Sequence, residues 1–297
     1  MEQRELLISK YEYQDVRFLN KGWSVDAKWV GVKDDQKHLI RISDIRFLSR
    51  RQWEFDQISR LYEQGWPVNR PISFFIEDTL VIAIYSYIEA LDLEPNIHKL
   101  PASMQYDMGF FAGEALLAIH SLPIEADSIN HYERMSQKML TYIDRYLEKQ
   151  LHFPNDDKVI SFIKDHLNEL SDRPLVFQHG DYHVGNMLLM EYQHAAIIDF
   201  NRCDIGDPYE EFSRAYFFSR RYSIPFVLGQ LDGYFKQGIP QDFHSLMKLY
   251  MCHTMISALT WSTQFSIGQT ETLRQFVSMV MDDYDQLQLD KPKWLTK

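Results

Sequence analysis

The periodicity of the chain changes once, over residues 88–95, and that change constrains the fold more than any other feature. Before it, apolar and polar residues alternate in short runs split by turn residues. "DVRFLN", "KGWSVD", "AKWVGV", "DDQK" and "HLIRIS" describe a three-strand meander over residues 13–45, and "PISFFIED" and "TLVIAIYSYI" describe two further strands. One helix interrupts them over residues 49–64, where Trp53, Phe55, Ile58, Leu61 and Tyr62 recur near helical spacing until "GWP" stops the run. After the change, "SMQYDMGFFAGEALLAIHSL", "NHYERMSQKMLTYIDRYLEKQL" and "DKVISFIKDHLNEL" all carry helical periodicity. Strands survive only at 175–177, 187–190 and 195–198, and the chain beyond Pro208 reads as almost wholly helical. The class is α+β: a small antiparallel β lobe with one helix, residues 1–89, and a larger, mainly helical lobe, residues 90–297.

With 297 residues, 45% of them apolar and 25% charged, the chain is long enough for two lobes with full cores and has no composition that favours disorder. The longest apolar run, in "TLVIAIYSYIEA", is far shorter than the roughly 20 residues needed to cross a bilayer, so it reads as a buried strand and no membrane partner is expected. No secretory signal is visible in "MEQRELLISK". Two cysteines, Cys203 and Cys252, make a disulfide framework improbable and point to a reducing cytosol. Net charge is −11, and residues 1–86 carry equal numbers of acids and bases, so all the excess acid lies beyond them. That distribution argues against nucleic acid and favours a cationic or metal-neutralised ligand in the later part.

The stretch "FQHGDYHVGNMLL" concentrates polar chemistry between apolar flanks. Strand alternation would put His179, Asp181 and His183 on one face, as a metal hydrolase needs, but the remaining histidines form no second cluster with ligand spacing. Each residue taken singly is also compatible with a satisfied turn. The set changes that balance. Asn186 follows Asp181 by five positions, and "IIDFN" delivers Asp199 thirteen beyond Asn186. Phosphoryl transfer requires such a set: a carboxylate to orient the acceptor hydroxyl, here Asp181, and hard oxygen ligands for a phosphate-bridging divalent cation, here Asn186 and Asp199.

With "HGDYHVGN", "IIDFNRCDIGDP" and "EEF" in that order, the chain resembles the aminoglycoside phosphotransferase family of small-molecule kinases, and the resemblance extends through "GWSVD", "HLIRIS", "WEFDQISRLYEQGWPV" and "AIYSYIEA". It implies a protein-kinase-like two-lobe fold, Mg2+ as cofactor and ATP or GTP as phosphate donor. It further implies that Gly22 and Ser24 approach the phosphates and that Arg41 takes the place of the phosphate-contacting lysine. Glu54 would be the carboxylate partner of Arg41. Residues 84–88 would connect the lobes, with Ser86, Tyr87 and Ile88 against the nucleotide base. Arg41 departs from the template, and Asn201 stands where protein kinases have the glycine of D-F-G. Asp207 is expected to cap the helix after Pro208 and, with Glu211, to brace the catalytic loop.

The function expected is transfer of a nucleotide γ-phosphate to a hydroxyl of an aminoglycoside-like aminosugar, as the acidic second lobe suits a polycation. A choline-like, sugar or macrolide acceptor stays open, and so does a nucleotide-binding regulatory module that has lost catalysis.

Overall fold

A computed structural model describes residues 2–20, 26–125, 129–190, 194–264 and 267–296. In chain order its elements are α1 (Glu2–Ser9), β1 (Gln14–Phe18), β2 (Ala27–Lys33), β3 (Gln36–Asp44), α2 (Leu48–Glu63), β4 (Pro71–Glu77), β5 (Leu80–Ser86) and β6 (Leu91–Asp92). There follow α3 (Ala102–His120), α4 (His131–Glu148), α5 (Asp156–His166), β7 (Val176–Gln178), β8 (Met187–Leu189), β9 (Ala195–Ile197) and β10 (Asp204–Gly206). The chain ends in α6 (Phe212–Phe217), α7 (Ile224–Tyr234), α8 (Phe243–Ser262) and α9 (Ile267–Asp283). None of the described helices is long and apolar enough to cross a membrane.

Two compact units divide the chain: Met1–Asp92 with Asn186–Cys203, and Leu93–Gly185 with Asp204–Lys297. In the first, five antiparallel strands lie in the order β1-β2-β3-β5-β4. Period-two alternation gives the central strand β3 two unlike faces. Ile40 and Ile42 pair across to Ile84 and Ile82 and form the core with Leu7, Tyr13 and Val16. Arg41 points the other way, to the face where the rings of Phe74 on β4 and Phe55 on α2 meet at 5.4 Å. The same unit holds the small sheet β6-β8-β9.

The second unit is built on α3 packed against α7, with α4, α5, α6 and α9 around α8, and a two-stranded ribbon of β7 and β10. Three short elements, α1, β6 and β10, are additional to those expected from the sequence. The helix expected directly after Pro208 begins only at Phe212. Asp207 accordingly caps a turn, accepting from the Tyr209 N–H at 2.8 Å, and no helix terminus.

Candidate active site

In the first unit, Asn186 and Asp199 are brought together by strand pairing. β8 and β9 run antiparallel with Met187 opposite Ile197, and the Ile198 N–H donates to the Asn186 carbonyl at 3.1 Å. The two motif residues therefore emerge at the same end of one hairpin. Asp199 has φ 69° and ψ 57°, a left-handed conformation that costs a non-glycine residue energy and is tolerated best by Asp and Asn. Its carboxylate is gripped by Lys28 of β2, whose Nζ lies 2.9 and 3.0 Å from the two oxygens.

Arg41 is ion-paired with Glu54, as its position opposite that helix suggests, but the pair belongs to a larger cluster. The guanidinium also donates through Nε to Asp26 at 2.6 Å, while Arg51 reaches Asp26 at 2.7 Å and Glu54 at 2.9 Å. All four side chains are buried. Burial alone would lower the Arg41 pKa, but Glu54 and Asp26 outweigh it and push it up. Likewise burial would raise Asp26, and Arg41 with Arg51 overturns that and holds its carboxyl below the usual carboxylate range. Two guanidiniums and two carboxylates cancel within a closed ring.

Of the residues expected against the nucleotide base, Ser86 ends β5 with its N–H donated to Arg70 O at 2.8 Å and its carbonyl taken by Asn69 at 2.9 Å. The Tyr87 N–H donates to Lys37 O at 2.9 Å. Gly22 and Ser24 lie outside the described residues.

In the second unit, the loop after β7 carries Asp181. Gly180 adopts φ 81°, which glycine takes without penalty, and its N–H donates to both Glu211 oxygens, at 2.9 and 3.2 Å. The Asp181 N–H donates to His179 Nδ1 at 3.2 Å, and His179 is fully buried. Beyond Asp181, the Tyr182 hydroxyl donates to Ala112 O, and the Val184 N–H donates to Ser219 Oγ. His183 accepts the Gly185 N–H at Nδ1, 3.1 Å away, so its ring proton sits on Nε2, 3.7 Å from Asp181 Oδ1. Burial pulls the His183 pKa down against the pull of Asp181, which keeps the ring neutral near pH 7. Arg214 stands 3.8 Å from the same carboxylate oxygen.

Asp207 is wholly buried and accepts from Arg173 at 2.6 Å and from the Tyr250 hydroxyl at 2.9 Å. Its carbonyl takes the Gln178 side-chain amide at 2.8 Å, which ties the end of β7 to the Pro208 turn. Lys28, Arg51, Arg173, Arg214 and Tyr250 carried no sequence signal, since an isolated Arg, Lys or Tyr at the right periodicity is indistinguishable from an ordinary strand or helix residue. Among the described residues, no group of three or more His, Cys, Asp or Glu could hold a metal ion, so the ligand set of a zinc or dinuclear hydrolase is not present there.

A five-stranded antiparallel sheet and a separate, mainly helical unit are the architecture of a kinase-like phosphotransferase acting on an alcohol group. The chain belongs to the phosphotransferase enzyme family, whose model matches residues 15–249. Solved structures with the same fold include the gentamicin complex of APH(2")-IIa, 17% identical over 93% of this chain and 95% of that one, with a TM-score of 0.69. A putative aminoglycoside phosphotransferase from Ralstonia eutropha is 11% identical over 90% and 91%, with a TM-score of 0.67. A thermostable mutant of aminoglycoside phosphotransferase APH(4)-Ia in its apo form is 16% identical over 93% and 97%, with a TM-score of 0.64. No curated protein matches the chain.

Proposed function

We propose that the protein transfers the γ-phosphoryl group of ATP or GTP to a hydroxyl of a small, cationic molecule of the aminoglycoside type. The observation that carries this reading is the β8-β9 hairpin, which sets Asn186, five residues of chain after Asp181, beside Asp199. In the reaction, the acceptor oxygen forms a bond to the γ-phosphorus as the bond from that phosphorus to the β-bridging oxygen breaks. The nucleoside diphosphate leaves with the electron pair, and the acceptor proton passes to the Asp181 carboxylate.

The donor set suits Mg2+, which takes hard oxygen ligands, keeps several waters and is held by one or two protein groups together with substrate phosphates. Asp199 offers a carboxylate already oriented by a cation, and Asn186 an adjacent amide. Bound there, Mg2+ would supply neutralisation of phosphate charge. Asp181 is oriented by its own surroundings: the His179-anchored backbone on one side and Arg214, 3.8 Å from its carboxylate, on the other. Gly22, Ser24, Ser86, Tyr87 and Ile88 make up the nucleotide-facing set of this reading, and Arg41 and Glu54 belong to the same side of it through the buried ring they share.

The acceptor class is supported by relatives of the same fold. A mutant of APH(4)-Ia was solved with ADP and hygromycin B and another with AMP-PNP and hygromycin B, and APH(2")-IIa with gentamicin. The acid excess beyond residue 86 agrees with a polycation. A screen of hygromycin B, gentamicin, choline, simple sugars and a macrolide for acceptor-dependent release of ADP or GDP, with and without Mg2+, tests the reading. Release expected with an aminoglycoside and Mg2+ supports it. Nucleotide binding without release for any acceptor would instead favour a regulatory module.

A further inference from the structure

We infer that Lys28 of β2, and not Arg41 of β3, is the side chain that contacts the phosphates of the bound nucleotide. The inference rests on the nucleotide-dependent reading above and goes beyond it by moving the phosphate-binding charge to a different strand. Lys28 and Arg41 are cross-strand partners in the β2-β3 ladder, so their side chains leave the sheet on the same face. A cation on either residue therefore addresses the same patch, and the structure distinguishes them by what each already holds.

Arg41 is committed to a buried ring with Asp26, Arg51 and Glu54, whose charges sum to zero. A phosphate drawn to that guanidinium would have to displace a buried carboxylate and leave it desolvated without its partner, which is the costly way to break a buried ion pair. Lys28 is held differently. Its ammonium sits on both oxygens of Asp199, with 11% of its side chain exposed against 20% of that of Asp199, so both groups of this pair reach solvent. A lysine on a flexible four-carbon stem can trade one oxygen anion for another with little rearrangement. Asp199 is the carboxylate proposed to face the phosphate-bridging cation, so a phosphate brought to it arrives beside the Lys28 ammonium.

In this arrangement Arg41 becomes a positioning residue: with Asp26 and Glu54 it clamps the start of β2 and α2 against β3, and so fixes the strand that presents Lys28. The Lys28-Asp199 contact spans 171 positions of sequence, which is why a lysine in "AKWVGV" gave no hint of it.

Two measurements test the inference. In equilibrium binding with Mg2+ present, the parent should bind ADP or GDP more tightly than the corresponding nucleoside. Lys28→Met should lose about tenfold to a hundredfold in diphosphate affinity while nucleoside affinity stays as in the parent. Diphosphate affinity within about threefold of the parent overturns the inference and leaves the nucleotide reading standing. A parent that does not distinguish diphosphate from nucleoside overturns the nucleotide reading itself, and the inference with it. The second measurement uses the parent protein alone, so it decides the matter even where Lys28→Met fails to fold. An acyl phosphate of ATP or GTP reacts with an amine beside its phosphates: the amine nitrogen bonds to the acyl carbon, the bond from that carbon to the phosphate oxygen breaks, and the nucleotide departs. Peptide mapping by mass spectrometry should find the new amide on Lys28, and labelling confined to other lysines refutes the assignment.

Discussion

Asp181 owes its position to contacts made by its neighbours. Gly180 gives its N–H to Glu211, and the Asp181 N–H is taken by the buried ring of His179. Removing only the basicity of the carboxylate should leave that loop intact. Asp181→Asn is expected to lower kcat by about a hundredfold to ten-thousandfold, the usual scale of a general base, with nucleotide affinity within about threefold of the parent. Steady-state kinetics beside equilibrium nucleotide binding check this, and a parent-like kcat would remove Asp181 from the mechanism. At this scale the motif residues were legible because their spacing is a chemical requirement. The residues that hold them were not. Glu211 was the exception, since it was expected to brace the loop and does so through the Gly180 N–H, but His179 acts through a bond to one backbone N–H, and Arg173 reaches Asp207 from 34 positions away, where spacing carries no information.

The helix pair α3 and α7 shows what an element-scale reading misses. Gly109 and Gly113 lie inside α3, where glycine costs about 1 kcal/mol relative to alanine, and Gly229 and Gly233 lie inside α7. A Cβ at Gly109 would stand 2.0 Å from Phe226 O, and one at Gly229 would stand 2.1 Å from Tyr106 O. The two backbones touch, and only glycine permits it. Periodicity located α3 almost to the residue, but the reason for its glycines is the approach of a second helix more than a hundred positions later. Gly229→Ala is expected to destabilise the fold by about 3 kcal/mol or more, since here the clash is with backbone and no side chain can move aside. Urea unfolding measures it, and an unchanged midpoint would mean that the helices are not in contact as described.

For the molecule as a whole, the buried ionisable groups set the response to acid. His253 of α8 lies in a polar pocket of the second unit lined by Lys138, Tyr142, Glu210, Ser213, Arg214, Tyr250 and Thr254. Burial, helped by Lys138 and opposed by Glu210, pulls its pKa from 6.5 to about 3. Glu210 resists burial through its ion pair with Lys138, which takes its pKa to about 2. Both folded-state values lie below the unfolded ones, so both contributions are fully present above the unfolded pKa and are lost as pH falls towards the folded value. The His253 contribution therefore declines from pH 6.5 downward, by up to roughly 1.4 kcal/mol per pH unit, and that of Glu210 joins below pH 4.5. Urea unfolding from pH 7 to pH 5 should show this slope in the parent and a flatter one in His253→Gln; equal slopes would show that His253 does not titrate as its burial implies.

The sequence alone determined the order of the main strands and helices, the sheet-then-helix division of periodicity and the placement of Asp181, Asn186 and Asp199 in a kinase-like motif. Those properties are local: alternation, helical spacing and motif spacing are all carried by residues within a few positions of one another. The tertiary structure decided the charge partners. Lys28 meets Asp199, Arg41 closes a ring with Asp26, Arg51 and Glu54, and Asp207 joins Arg173 and Tyr250, because strand register and helix packing bring together residues that sequence separation keeps apart. Ion pairs are short-ranged in space and indifferent to distance along the chain, so beyond the Arg41–Glu54 pair that the family resemblance implied, no pattern in the sequence specified which carboxylate each cation would find.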